Sequence, residues 1–125
     1  PGGRARLTEN DRLAAHLGDM LDAIEKATQF TEGMTSEEFS QDDKTLFALI
    51  RAIEVVGKAA KKIPPSIREF YPHIPWRAMT GMRDKLAHDY TSINQMVIWK
   101  TAREDLPALT PVLKALLAKI ENAER

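Results

Sequence analysis

The sequence predicts an all-α fold, an antiparallel four-helix bundle with additional short helices. Apolar residues recur at three- and four-residue steps along most of the chain, which is the period of a helix with one buried face. No stretch alternates apolar and polar residues over the length of a strand. Prolines and small polar residues fall between the apolar stripes, where they end helices and leave the short connections that a bundle requires.

The first helix is predicted over about residues 9 to 30. Thr8 and Asp11 have the spacing of a reciprocal N-terminal cap. The apolar stripe that follows consists of Leu13, Leu17, Met20, Leu21 and Ile24. Residues 1 to 8 show no such periodicity and are expected to form a disordered or added tail. Residues 9 to 125 are then expected to make one helical domain.

A second main helix follows a short one. Thr35 and Glu38 predict the cap of one short helical turn. The stripe of the next main helix consists of Leu46, Phe47, Ile50, Ile53, Gly57 and Ala60. It ends at Pro64-Pro65, because proline cannot continue a helix. Four prolines between residues 64 and 75 predict a structured connection with at most one helical turn at residues 66 to 70.

The last third of the chain predicts three further helices. Pro75 suits the first turn of the third main helix. The stripe of that helix consists of Trp76, Met79, Arg83, Leu86 and Tyr90. Ser92 and Gln95 predict the cap of a fourth helix. Its buried side is expected to be Ile93, Met96, Val97 and Trp99. Asp105 ahead of Pro107 predicts a separate start for the final helix.

Composition excludes several classes of function. The chain has no cysteine, so disulfides, thiolate catalysis and cysteine-ligated zinc are excluded. Its apolar runs are far shorter than the roughly 20 residues that span a bilayer. We therefore expect a soluble protein with no membrane partner and the cytoplasm as its compartment. The formal net charge of zero argues against a protein that coats nucleic acid through bulk electrostatics.

Charge is nevertheless unevenly distributed along the chain. Residues 31 to 50 are acidic, whereas residues 51 to 85 hold eight Lys and Arg against three carboxylates. The basic segment either attracts phosphate or forms solvated helix faces, and charge alone does not separate the two interpretations.

One segment, residues 81 to 90, carries residue types suited to chemistry. Arg83 is a permanent cation whose planar fork fits phosphate oxygens, and His88 is the kind of side chain that exchanges protons near neutral pH. Together they suit phosphodiester cleavage. The other histidines, His16 and His73, are expected to be structural. No cluster at metal-ligand spacing accompanies the motif, so neither a metal nor another cofactor is expected.

The spacing of Arg83 and His88 poses a geometric conflict. Successive residues of a helix turn by about 100 degrees, so two residues five apart project about 140 degrees from each other. Either the helix ends near Ala87 and the histidine turns back, or the site combines the motifs of two chains related by a twofold axis. A second chain would also supply a second histidine for a reaction that needs both a base and an acid.

Three carboxylates are candidates to support the motif. Glu54 lies within the apolar stripe of the second main helix, where a lone carboxylate is costly unless it is paired. Arg51, three residues earlier, would satisfy it locally, whereas a pairing with Arg83 would hold the motif guanidinium in place. Asp84 and Asp89 flank the motif and are candidates to orient its histidine.

The motif and its flanks resemble the HEPN superfamily of ribonucleases, in particular the HepT-like toxins that are encoded beside a minimal nucleotidyltransferase antitoxin. The motif reads Arg, four residues, His, one residue, Tyr. Family-like segments occur in family order over roughly residues 9 to 122. These segments are Phe30–Met34, Arg51–Ala60, Tyr71–Arg77 and Glu104–Pro107.

The resemblance implies a homodimeric HEPN-type bundle with two motifs across a shared cleft. It implies a metal-independent endoribonuclease in which Arg83 stabilises the transition state and His88 transfers protons, leaving a 2',3'-cyclic phosphate and a 5'-hydroxyl. The substrate of such a site is RNA, because DNA has no 2'-hydroxyl to attack. It also implies that Tyr90 contacts RNA and accepts AMP from the nucleotidyltransferase, which silences the ribonuclease of a toxin-antitoxin pair.

Two other functions fit the same residues. The bundle would be either a non-catalytic binding module that presents a substrate or regulatory surface to the nucleotidyltransferase, or a purely structural dimerising unit. Growth arrest upon expression of the chain alone would favour the toxin, provided that His88→Ala abolishes the arrest. A structural unit would lose little beyond stability on that substitution.

Overall fold

The computed structural model describes residues 7–123, apart from the side chain of Tyr90. Over this range the chain is helical and has no strand, which confirms the predicted all-α fold. In chain order the α-helices are α1 (Glu9–Phe30), α2 (Ser36–Ser40), α3 (Asp43–Lys61), α4 (Pro65–Arg68), α5 (Trp76–Asp89), α6 (Gln95–Lys100) and α7 (Leu106–Asn122). Within these residues, no helix is both long and apolar enough to cross a membrane. The tail predicted for residues 1 to 8 lies mostly outside the described residues.

The core joins the four long helices. α3 packs between α1 and α5, and α1 also packs against α7. The fully enclosed side chains of these helices include Leu17, Met20, Leu49, Val56 and Leu113. Each contributes about 1.5–3 kcal/mol relative to an exposed position, so this core is the main source of stability. Phe47, predicted in the α3 stripe, is instead 53% exposed, because it lies at the edge of the buried face.

Local hydrogen bonding begins the helices where the sequence predicts it. The backbone nitrogen of Asp11 donates to Thr8 Oγ1 at 3.0 Å, and the Thr8 nitrogen donates back to the Asp11 carboxylate at 2.9 Å. Thr35 and Glu38 form the same reciprocal cap at the start of α2. Thr8, the last residue of the predicted tail, therefore caps α1. Both caps are confirmed because their residues are three apart and need no tertiary contact.

The end of α1 is tied to the C-terminal part of the chain. Thr31 is fully buried; its hydroxyl donates to the Ala27 carbonyl at 3.0 Å and accepts from Arg103 Nη1 at 3.2 Å. Gly33 then turns the chain with a φ of 74°, a conformation that glycine adopts without strain. The turn predicted after Phe30 is thus held by the contact between Thr31 and Arg103, which lie 72 residues apart in the sequence.

The C-terminal third differs from the prediction of two separate helices. α6 passes directly into a π-helical segment, Thr101–Asp105, and then into α7. Asp105 has helical backbone angles and forms no side-chain cap. Pro107 explains the difference. It has no N–H to donate, and its ring crowds the carbonyl four residues earlier; the wider π turn accommodates this misfit without ending the helix.

The cap and the buried side of α6 also differ from the prediction. Asn94, rather than Ser92, caps the helix, and its side-chain oxygen accepts from the Met96 nitrogen at 2.7 Å. Met96 and Val97 are 47% and 48% exposed, while Ile98 is buried. Because α6 is short and continuous with the following segment, the orientation of α7 determines which residues of α6 face the core.

Candidate functional site

Arg83 lies where α5 packs tightly against Gly57 of α3. Position 57 of α3 is a buried glycine, and a Cβ built there would overlap with Arg83 Cβ. The same Cβ would lie 2.7 Å from the Met79 carbonyl oxygen and 2.9 Å from Arg83 Cγ. Only glycine permits this approach. The aliphatic part of Arg83 therefore rests against the backbone of α3, while 33% of its side chain remains exposed.

Asp84 joins two cations from two helices. Its Oδ1 accepts from Lys61 Nζ at 2.8 Å and lies 3.4 Å from Arg83 Nη1. The hydrogen bond from Lys61 is the main cause that holds the pKa of Asp84 below its ordinary value. Desolvation opposes this shift, and the charges of Lys61 and Arg83 add to it. Asp84 is thus a carboxylate at neutral pH, and it connects the end of α3 to the motif.

Arg83 and His88 occupy one unbroken helix. α5 continues through Asp89, so the chain does not turn back after Ala87. Of the two arrangements that the sequence left open, the early helix end is wrong. The two side chains therefore project about 140 degrees apart, with Arg83 towards α3 and His88 on the exposed side of the last turn.

The outer face of α5 is largely uncovered. His88 and Gly81 are seven residues apart, so they lie within about 20 degrees of each other on this face, and both are exposed. Beside them is a groove of about 460 Å³, whose lining includes Ala78, Met82 and Lys85 of α5 and Val97 of α6. A second cavity of about 410 Å³ shares Ala78 and Met82 and reaches the start of α7. The motif helix thus borders a concave, mostly apolar surface.

The carboxylates beside the motif contact residues other than His88. The carboxylate of Asp89 accepts from the backbone nitrogen of Thr91 at 3.2 Å and from its hydroxyl, which fixes the 3₁₀ turn after α5. The carboxylate of Asp84 contacts Lys61 and Arg83. Among the described residues, neither carboxylate contacts His88, so the role of orienting this histidine stays a prediction.

Glu54 contacts the nearer of the two partners that the sequence suggested. Its carboxylate lies 3.7 Å from Arg51 Nη1, and 27% of its side chain is exposed. Arg83 contacts Asp84 instead. The carboxylate that accompanies the motif guanidinium is therefore its sequence neighbour rather than a residue of α3.

Tyr90 begins the 3₁₀ turn Tyr90–Ser92, immediately after α5. Its side chain lies outside the described residues, so its predicted contact with RNA and its modification stay predictions. The backbone places it two residues beyond His88, at the same end of the helix.

Sequence reasoning missed two residues of this region, Gly57 and Lys61. Gly57 was one member of an apolar stripe, and Lys61 one of several lysines near a helix end. The position of Gly57 was informative, because a glycine inside a helix lowers its stability by roughly 1 kcal/mol and is usually kept there by a packing requirement. No such signal existed for Lys61, since its contact with Asp84 spans 23 residues. The described side chains contain no group of three or more His, Cys, Asp and Glu arranged to hold a metal ion.

Comparison with known proteins gives a consistent result. The family model "Ribonuclease HepT-like" matches residues 20–116. A probable ribonuclease HepT of Thermococcus cleftensis is 47% identical over 94 residues, which cover 75% of this chain and 86% of that protein. A protein of Methanocaldococcus jannaschii, named as a candidate RNase, is 38% identical over 90% of this chain and 93% of its own length. No solved structure gives a significant match.

Proposed function

Because this chain belongs to the HepT-like ribonuclease family, we propose that it is an endoribonuclease whose complete site forms between two copies. One observation carries the proposal: α5 is unbroken, so Arg83 points to α3 and His88 points outwards. One chain then offers a guanidinium and an imidazole that do not converge. A twofold partner supplies the missing groups.

The chemistry assigns a role to each motif residue. The ribose 2'-oxygen attacks the adjacent phosphorus while one His88 takes its proton, and the bond from phosphorus to the 5'-oxygen breaks. The His88 of the other copy gives a proton to the leaving 5'-oxygen. Arg83 donates to the phosphate oxygens, where negative charge grows in the transition state. The products are a 2',3'-cyclic phosphate and a 5'-hydroxyl, and the reaction uses no metal.

The outer face of α5 with α6 is the surface that we expect the second copy to cover. Met96 and Val97 are exposed next to the motif helix, and the groove beside them is lined mostly by small and apolar residues. Exposed apolar groups at a concave surface favour association. Val97→Glu should therefore yield monomers without activity. Leu7→Glu is the matched control: Leu7 is 67% exposed, precedes α1, and should tolerate the charge with no loss of dimer.

The RNase assay tests the proposed reaction directly. Purified protein in excess chelator should cleave single-stranded RNA and leave DNA of the same sequence intact. His88→Ala should lower the rate by about 100-fold or more, and Arg83→Ala by a comparable factor, with unchanged helical content. Loss of cleavage in chelator would refute the metal-free reaction. Full activity of His88→Ala would refute the role of His88 in proton transfer. No cleavage of RNA by the wild type would favour the non-catalytic binding module.

The regulatory part of the proposal concerns Tyr90. A minimal nucleotidyltransferase would transfer AMP from ATP: the Tyr90 oxygen attacks the α-phosphorus, pyrophosphate leaves, and the phenolic proton goes to solvent or a base of the transferase. Added bulk and negative charge at this end of α5 would repel the RNA backbone and silence the toxin. Tyr71 is the chain's other tyrosine and is the internal control.

Mass spectrometry after co-expression with such a nucleotidyltransferase tests this regulation. We expect AMP on the peptide with Tyr90, none on the peptide with Tyr71, and none on either peptide of Tyr90→Phe. Tyr90→Phe should also remain toxic in the presence of the transferase, whereas Tyr71→Phe should be silenced like the wild type. An unmodified Tyr90 peptide would remove this part of the proposal.

A further inference from the structure

Lys61 lies beside the motif although it belongs to another helix. It is the last residue of α3, one turn after Gly57, so both lie within about 40 degrees of each other on the side that faces α5. Gly57 seats the aliphatic part of Arg83, and Lys61 reaches the neighbouring carboxylate. The same face of α3 thus contacts both Arg83 and Asp84.

One carboxylate oxygen brings the two cations together. Asp84 Oδ1 lies 2.8 Å from Lys61 Nζ and 3.4 Å from Arg83 Nη1, so the two nitrogens are no further apart than the sum of these distances. Two cations at this separation fit the oxygens of a single phosphate group or of two successive phosphates. A carboxylate and a phosphate accept hydrogen bonds from the same donors. Asp84 therefore occupies a place that suits a phosphate.

We propose that Lys61 is a further phosphate-binding residue of the RNA site, and that Asp84 holds Lys61 and Arg83 together until an RNA phosphate replaces it. This inference rests on the proposed ribonuclease function and adds a residue to its binding surface. Lys61 contributes a point charge and Arg83 a planar fork. Together they would hold the RNA backbone at the α3 side of the motif.

Exposure of the three side chains supports this role. The side chains of Lys61, Asp84 and Arg83 are 49%, 45% and 33% exposed, so an RNA backbone has access to them. An ion pair this open to water contributes little to folding. Lys58 and Lys62 are exposed nearby on the chain and add to the positive potential. The low pKa of Asp84 keeps it charged and able to hold both cations in the free protein.

Binding of single-stranded DNA separates this inference from the proposed reaction. DNA carries the same phosphates as RNA but has no 2'-hydroxyl, so it is bound without being cut. In fluorescence anisotropy, Lys61→Gln should weaken binding by roughly tenfold and reduce the slope of log affinity against log salt by about 0.7, the value for one lost phosphate contact. Lys61→Arg should retain most of the affinity.

Lys62→Gln is the matched control, because it removes the same charge from the next residue. Lys62 is exposed and forms no ion pair with another described residue. It should change affinity by less than about twofold. Equal losses in the two variants, or no loss in Lys61→Gln, would overturn the inference. Thermal melts of both variants should match the wild type, which shows that the loss is not one of folding.

Asp84→Asn tests whether the carboxylate takes the place of a phosphate. It should tighten DNA binding several-fold, since it frees two cations from a competing anion. In the Asp84→Asn protein, Lys61→Gln should still reduce the slope of log affinity against log salt. If Lys61→Gln has no further effect on DNA binding there, Lys61 acts only by holding Asp84. RNA cleavage by the wild type reports separately on the proposed function. Selective loss of DNA binding in Lys61→Gln would therefore support the phosphate site even in a chain that does not cut RNA.

Discussion

Replacing Gly57 by alanine tests the close approach of α3 and α5 that seats Arg83. The added methyl would overlap with Arg83 Cβ and lie 2.7 Å from the Met79 carbonyl oxygen. Neither atom is the free end of a flexible side chain, so the helices must separate. Such overpacking costs about 1–3 kcal/mol, while alanine improves helix propensity by about 1 kcal/mol. We expect a net loss of up to about 2 kcal/mol.

Gly18→Ala is the control for this experiment. Gly18 lies inside α1, and a Cβ built there meets no atom within 4 Å. The same substitution should therefore stabilise the protein by up to about 1 kcal/mol. Calorimetry should show a melting temperature lowered by several degrees for Gly57→Ala and raised by a few for Gly18→Ala. Equal stabilisation by both substitutions would refute the close approach.

Gly57→Ala and Gly18→Ala also show whether the close approach of α3 and α5 matters for the reaction as well as for stability. Moving α5 away from α3 displaces Arg83, and a shift of about 1 Å at a catalytic group is enough to lower the rate by about 100-fold. Gly57→Ala should thus lose RNA cleavage at temperatures where it remains folded, whereas Gly18→Ala should cleave at the wild-type rate.

Two further predictions concern stability. Thr31→Val removes the buried hydroxyl that donates to Ala27 and accepts from Arg103; urea unfolding should show a loss of about 1 kcal/mol, and a gain would contradict the contact. Because the pKa of Asp84 is lower in the folded protein than its ordinary value of 3.8, its pairing makes a small contribution to stability above pH 4, which is lost as the pH falls through the folded pKa. The stability of Asp84→Asn should therefore depend slightly less on pH below 4 than that of the wild type, and a steeper dependence would contradict the pairing.

The sequence predicts those features that depend on neighbours along the chain. Both reciprocal caps and the helix ends near Phe30 and Lys61 follow from local spacing and proline positions. The apolar stripes give the all-α fold because burial of one face is a property of each helix. Family resemblance adds the motif, Arg83 and His88, which local physics alone would assign to an ordinary surface pattern.

The remaining features depend on contacts between distant parts of the chain. The cap predicted at Asp105 is absent because the helix passes Pro107 through a π segment. Met96 and Val97 are exposed because α7 sets the orientation of α6. The seat of Arg83 on Gly57 requires the crossing of α3 and α5. Sequence patterns alone do not predict these features, because the packing of the helices decides which of several similarly apolar faces becomes buried.

The central claim is that two copies of the chain share one reaction centre, with one His88 from each. Mixing wild type with His88→Ala under conditions where dimers exchange tests it most directly, because a mixed dimer holds a single histidine. At equal amounts and constant total protein, activity should fall to about a quarter of the wild-type value, the fraction of dimers with two intact copies. A fall to about one half, proportional to the wild-type chains alone, would contradict the claim.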